Sequence, residues 1–391
     1  MSDAWRALSR AARIRVAAVV GVLVLLIAAA RPGLAHVRAA GLLQRFASGQ
    51  EANAGWLAHA SAYEVSEEGS TLETEAGPTR ARLYLPRGVV HPPADVVVPG
   101  VHRLGVDEPR LQRFARSISS TGVAVFTPEI KALTEYRIEP RSIATIGAAA
   151  VALAQREHVE RVGVMGMSFA GGLALLAATD ERYTSSIEFV VAVGAHDDLS
   201  RVARFFATNE IVDADGRVVH MKAHDYGVAV LLCDHAEDFF PPEEAPGAKE
   251  ALTSWLWGDE GAARARAAKL GDASRRTLEL LFDSKSQGRE ALAPEILRVI
   301  GEREAQMREV SPHGRLGTLR VPVYLLHGAG DSVIPPSETR WLAKEVPPAY
   351  LKATLISPAV QHVELQGEPS MGERWALVHF MAQILEELDE R

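Results

Sequence analysis

A serine hydroxyl is a useful nucleophile only where a base, an orienting acid and oxyanion donors converge on it. The run Gly166-Met167-Ser168-Phe169-Ala170-Gly171 is where this chain offers such a hydroxyl. Arg161–Met165 (R-V-G-V-M) reads as a buried strand, and Gly172–Thr179 as an Ala/Leu-rich helix. A strand that turns straight into a helix through small residues strains the serine backbone and lifts its hydroxyl above the sheet edge. Gly166 permits the sharp turn. Ala170 stands where a second glycine is commoner, yet is small enough for helix and strand to approach, and Gly171 adds room one residue later. Ser168 is therefore the candidate nucleophile; taken alone, the same pattern also fits an inert serine in a tight turn.

The acid is sought at the same sheet edge, just past the C-terminal end of another parallel strand. Val321–Leu326 is β-rich and is followed by His327-Gly328-Ala329-Gly330-Asp331, which places Asp331 there. An Asp that merely caps a turn is the alternative. Glu188–Val193 also reads as a buried strand and leads into Gly194-Ala195-His196-Asp197-Asp198, so Asp197 and Asp198 compete for the role; Asp331 carries the fuller motif. For the base, a helix over Ser337–Val346 and a strand over Leu351–Ile356 lead into a loop, Ser357–His362. Of thirteen histidines, only His362 follows that last strand. His379 falls in the final amphipathic helix, His327 in the strand-end turn, and His220, His224, His235 and His313 in a long insert.

With the order Ser168, Asp331, His362, the chain resembles the α/β-hydrolase family over most of residues 80–391. The resemblance implies a mostly parallel sheet flanked by helices. Asp95–His102 looks like the strand and loop that carry the first oxyanion donor, although Pro99-Gly100 stands where many members have His-Gly. By position, the backbone N–H groups of Val101 and Phe169 would form the oxyanion hole. A helix over Pro109–Ser119 and a strand over Val123–Phe126 continue the usual succession. The implied chemistry is acyl transfer: His362 takes the Ser168 proton, Asp331 orients the imidazole, and activity falls below about pH 6 as the base protonates. The family's dehalogenases use a carboxylate nucleophile, so Ser168 on the elbow disfavours that chemistry. No metal and no organic cofactor is expected.

The elements that must position these residues set the frame. The chain has 391 residues, 47% hydrophobic and 24% charged, with a net charge of −8 that argues against a nucleic-acid partner. Cys233 is the single cysteine, so an internal disulfide and a thiolate-rich metal site are excluded; following Val228–Leu232, it reads as a buried filler. Arg6, Arg10, Arg13 and Arg15 precede an apolar run, Val16–Ala30, closed by Arg31-Pro32. This is a secretory signal or a short membrane span; Arg31 and Pro32 directly after the small residues Ala28-Ala29-Ala30 favour an uncleaved anchor, and a buried core helix is the alternative.

The expected organisation is a signal or anchor over 1–35, a linker or N-terminal extension over 36–79, a catalytic domain over 80–196 and 315–391, and a helical cap insert over 197–314. Within the insert, helical spacing covers Leu199–Ala207, Tyr226–Asp234, Lys249–Trp257, Arg275–Phe282 and Leu292–Val310. Its aromatic residues Phe205, Phe206, Phe239, Phe240, Trp255 and Trp257 suit either an acyl pocket or the core of the cap itself. The reading is a membrane-anchored or exported serine hydrolase, catalytic domain outside the cytoplasm, acting on small-molecule or lipid esters (esterase or lipase). The alternatives are an acyltransferase using the same triad and a non-catalytic, membrane-anchored binding or scaffold protein.

Overall fold

The computed structural model describes residues 31–48, 55–60, 62–156, 159, 162–283, 288–361, 364–365 and 369–389. The strands are β1 (Val65–Leu72), β2 (Thr79–Pro86), β3 (Ala94–Val98), β4 (Ala124–Pro128), β5 (Val162–Met167), β6 (Ile187–Val193), β7 (Glu210–Val212), β8 (Val218–His220), β9 (Val323–Gly328), β10 (Leu351–Ser357), β11 (Val360–Gln361) and β12 (Glu364–Leu365). Eight of them form one sheet in the order β1-β2-β4-β3-β5-β6-β9-β10. β1 and β2 make an antiparallel hairpin, β2 pairs antiparallel with β4, and the other pairs are parallel. β3 and β4 are buried at every residue, as parallel strands covered on both faces must be, which is why Val96-Val97-Val98 shows no polar alternation.

The helices are α1 (31–48), α2 (Pro109–Ser119), α3 (Pro140–Ala154), α4 (Phe169–Thr179), then within the insert α5 (Leu199–Thr208), α6 (Asp225–Asp234), α7 (Ala245–Leu256), α8 (Glu260–Ala267), α9 (Asp272–Phe282) and α10 (Gly288–Glu309), and finally α11 (Ser337–Glu345) and α12 (Met371–Asp389). On one face of the sheet, Ala39 and Leu42 of α1, Leu111 of α2 and Phe380 of α12 pack on Val97, Met165 and Val191. On the other, Ile146 of α3, Leu173 of α4 and Leu342 of α11 pack on Val96, Val164 and Val190. Helix α2 starts where the sequence predicts: Pro109 sits in its first turn, and Glu108 caps it by accepting the Leu111 N–H at 2.6 Å.

Residues 36–79, expected as a linker or extension, contribute most of α1 and the strand β1. The expected boundary at residue 35 falls inside α1, where Ala35 is buried. Helix α1 is keyed to the body by a hydrogen bond of 2.9 Å between His36 Nε2 and His379 Nδ1, by His36 stacking on Trp375 with centroids 5.2 Å apart, and by Arg38 Nε donating to Thr121 O at 3.0 Å. β1 resembles a linker in sequence because it is an edge strand, and Glu67-Glu68-Gly69 are exposed to solvent. The apolar run Val16–Ala30 lies outside the described residues. Among the described residues, no helix is long and apolar enough to cross a membrane.

The insert between β6 and β9 is mainly helical, as its spacing predicts, with α8 and the β7–β8 hairpin in addition. Phe205, Phe206, Phe240 and Cys233 are buried in its core, and Trp255 stacks on Phe282 with centroids 6.1 Å apart. It is fastened to the body at two points near β3. The Tyr226 hydroxyl of α6 donates to Val101 O at 2.9 Å, and the Arg103 guanidinium lies 4.7 Å from the centre of the Trp257 ring.

Candidate active site

Ser168 joins β5 to α4 with φ 56° and ψ −132°, a left-handed backbone that a residue with a Cβ rarely adopts. The turn is this tight because the neighbouring residues are small. A Cβ on Gly166 would lie 2.4 Å from Ala170 O, and one on Gly171 2.7 Å from Ala195 Cβ. Ser168 N–H donates to Val193 O at 2.7 Å, which ties the elbow to the end of β6. Phe169 is the first residue of α4. The first N–H groups of a helix have no partner within it, and the dipole there favours an anion.

The loop after β3 closes on the same point. A Cβ on Gly100 would stand 3.0 Å from Ser168 Cβ and 3.6 Å from its Oγ, so a larger residue here would press on the serine. Val101 follows, with its carbonyl held by Tyr226. Burial keeps the Tyr226 phenol above its ordinary pKa, so it stays a neutral donor. Burial also holds the His102 imidazole below its usual value. At Glu108 burial pulls upward, but Arg110 and the Leu111 N–H outweigh it and keep the carboxylate ionised.

Asp331 is fully buried past the end of β9. Its Oδ1 accepts the N–H groups of Val333 at 2.8 Å and Ile334 at 3.0 Å. Buried His327 braces this turn: Nε2 lies 2.8 Å from Ile334 O and 3.6 Å from Asp331 Oδ2, while Nδ1 lies 2.6 Å from Thr339 Oγ1. Neighbouring strand ends are tied edge to edge, Gly194 N–H to Leu326 O at 2.7 Å and Ala329 N–H to Ser357 O at 3.0 Å. His362 lies outside the described residues. Val360 borders the same cavity as Ser168, and Val360–Gln361 pairs antiparallel with Glu364–Leu365.

Asp197 and Asp198 have other duties. The Arg201 guanidinium donates to Asp197 Oδ2 at 2.8 Å and to Glu338 Oε1 at 2.6 Å, and stacks 4.6 Å from the Trp341 ring centre. Glu338, fully buried, accepts the backbone N–H groups of both aspartates at 2.9 Å. Asp198 caps α5 through the N–H groups of Ser200 and Arg201. Burial raises the Asp197 carboxyl against the pull of Arg201. Asp197, His313 and Glu345 bring one ligand atom each within 4.8 Å of one another. In this cluster His313 Nδ1 already bridges the two carboxylates at 2.9 and 3.2 Å, and Arg201 occupies the electrostatic place of a cation. Sequence reasoning missed Arg201, Glu338 and His313 as a unit, because nothing local links residues this far apart in the chain.

A cavity of about 150 Å³ opens beside Ser168, bordered there by Gly100, Val101, Phe169 and Tyr226. None of the insert aromatics named from sequence borders it; its aromatic walls are Phe46, Phe114 and Phe380, from α1, α2 and α12. A serine on a strained strand–helix elbow, helix N–H groups beside it, and a buried acid after a later parallel strand are groups of the kind that can support nucleophilic attack on a carbonyl.

The sheet order, the flanking helices and this elbow are those of the α/β-hydrolase fold, which the chain adopts. Among solved structures it is similar to a candidate hydrolase from Legionella pneumophila, with a TM-score of 0.51, 12% identity, and 84% of this chain and 90% of that chain covered. An esterase domain from a Rhodothermus marinus protein aligns with a TM-score of 0.42 and 14% identity, covering 82% and 96%. By sequence, the pimeloyl-[acyl-carrier protein] methyl ester esterase of Aromatoleum aromaticum is 34% identical over 82 residues. That match takes in 21% of this chain and spans about a third, 32%, of the curated relative. No family model matches the chain.

Proposed function

We propose that this chain is a serine hydrolase that cleaves carboxylic esters through an acyl-enzyme. Ser168 attacks the ester carbonyl, and His362 takes its proton and returns it to the departing alcohol. Asp331 holds the imidazole in the productive tautomer and stabilises it when charged. The N–H groups of Val101 and Phe169 receive the negative oxygen of the tetrahedral intermediate, at about 2.7–4 kcal/mol for each donor removed in comparable sites. Water then repeats the sequence on the acyl-enzyme. The observation that carries the reading is Ser168 itself, held at φ 56° on the elbow beside the Gly100–Val101 backbone and an apolar cavity.

Asp331 is favoured as the acid because its Oδ1 is fixed by two backbone N–H groups, whereas Asp197 is already neutralised by Arg201. The substrates are small-molecule or lipid esters. The apolar run Val16–Ala30, with its arginines upstream, tethers the enzyme to a membrane or exports it, with the catalytic body outside the cytoplasm. Hydrolysis of p-nitrophenyl esters by the full chain, abolished in Ser168→Ala, tests the chemistry; a folded protein that turns over none of them contradicts it. Carbonate extraction of membranes tests the tether, which predicts that the full chain stays with the pellet and a variant lacking residues 1–30 does not.

A further inference from the structure

The cavity beside Ser168 does not run under the helical insert. It runs along the opposite side, between the sheet and the layer made by α1, α2 and α12. Its floor is formed by Met165 and Met167 of β5, its far walls by Leu43 and Phe46 of α1 and by Phe380 and Met381 of α12. The polar side chains on its border belong to Ser168 itself, to the stretch His102–Arg110 after β3, and to Tyr226. Ser168 offers its hydroxyl to a reacting carbonyl, and most of the other lining side chains offer a chain apolar contact.

We infer that this cavity holds the acyl chain of the substrate, that α1 is one wall of the acyl site, and that the preferred acyl group is a medium-length straight chain of about six carbons. The length follows from volume, since a cavity of about 150 Å³ lined by apolar side chains accepts a guest with about six carbon atoms, benzene being the measured case. The acyl side is assigned, rather than the alcohol side, because the cavity begins at the hydroxyl that will carry the acyl group and its lining is predominantly apolar. The inference rests on the ester-hydrolase reading and adds the substrate class to it. It also gives α1 a role beyond packing. The helix that follows directly after the apolar run Val16–Ala30 in the sequence supplies two lining residues, Leu43 and Phe46, to the substrate site.

The test is the chain-length profile of kcat/KM on p-nitrophenyl acetate, butyrate, hexanoate, octanoate and laurate with the full chain. Each methylene buried adds about fourfold, so hexanoate should exceed acetate on the order of a hundredfold, with laurate falling back because it outgrows the cavity. Leu43→Trp fills the cavity and should collapse the hexanoate-to-acetate ratio toward one. Phe46→Ala enlarges it and should move the optimum to octanoate or beyond, a gain that a misfolded protein cannot show. A second readout does not need turnover: hexanamide, but not acetamide, should bind Ser168→Ala in calorimetry, and Leu43→Trp in that background should abolish the binding. Hydrolysis with a flat profile that neither variant alters overturns the acyl site and leaves the ester-hydrolase reading standing. Hexanamide binding that Leu43→Trp abolishes, in an enzyme that cleaves no ester, leaves the apolar chain site standing and removes the hydrolase reading. Failure of both assays overturns both.

Discussion

Two buried carboxylates stand past the ends of adjacent parallel strands, Asp197 after β6 and Asp331 after β9, and they are held in opposite ways. Asp331 is fixed by N–H groups of its own turn, whose dipoles stabilise a carboxylate without cancelling its charge. Asp197 is fixed by the Arg201 guanidinium, which does cancel it, and shares that cation with Glu338. A charge that must stabilise an imidazolium cannot already be spent on a buried arginine. Position at the sheet edge therefore selects the candidates for the acid, and their partners decide between them. The aspartate after β6 instead ties the first insert helix to α11 through Arg201 and Glu338.

The largest effect should come from Ser168→Ala, a loss of about a millionfold in turnover if the hydroxyl is the nucleophile. Asp331→Asn should lower kcat about ten-thousandfold, as loss of the orienting charge does in comparable triads, whereas Asp197→Asn should stay within about tenfold of wild type. Steady-state kinetics on one ester decides between them, and equal losses would dissolve the contrast. Arg201→Met should act on stability instead, costing about 3–5 kcal/mol by leaving Asp197 and Glu338 buried without their cation. Urea titration measures it, with the specific activity of the folded fraction retained.

A third carboxylate marks the extreme of the same comparison. Asp95, inside β3, is buried with neither oxygen hydrogen-bonded among the described residues, and burial pushes its pKa up to about 8. Its folded pKa is raised, so the folded state binds the proton more tightly, and the contribution to stability is full below about pH 4 and is lost as pH rises toward about 8. Wild type should lose on the order of a few kcal/mol between pH 5 and 8 from this group, and Asp95→Asn should flatten that slope in thermal melts. The smallest effect is expected at Tyr226→Phe, which removes one hydrogen bond to the Val101 carbonyl; about tenfold in kcat, with KM little changed, fits a hydroxyl that positions the oxyanion loop.

The parts legible in the sequence are those encoded over short stretches. The elbow is written in the contiguous residues Gly166–Gly171, the strands around it in β-branched runs, and α2 begins at Pro109, so these elements are predicted within a few residues. The insert is legible as helical because most of its helices are local runs of helix-forming or periodically apolar residues, α8 being the exception. What escaped is held together by distant residues. Arg201, Glu338 and His313 meet only after folding, and the cavity draws its walls from Phe46, Phe114 and Phe380. The edge strand β1 is legible only as a linker or hairpin, because one of its faces is solvated and polar. The β7–β8 hairpin had a local signal, Asp215-Gly216 with Gly216 at φ 78°, that the helical period of its surroundings obscured.

The most direct measurement is the rate of covalent labelling by a fluorophosphonate probe in wild type, Ser168→Ala, Asp331→Asn and Asp197→Asn, each verified as folded by circular dichroism. The account predicts rapid labelling of wild type and Asp197→Asn, none of Ser168→Ala, and labelling of Asp331→Asn slowed by several orders of magnitude. Labelling that persists in Ser168→Ala, or that collapses in Asp197→Asn while Asp331→Asn labels normally, would contradict it.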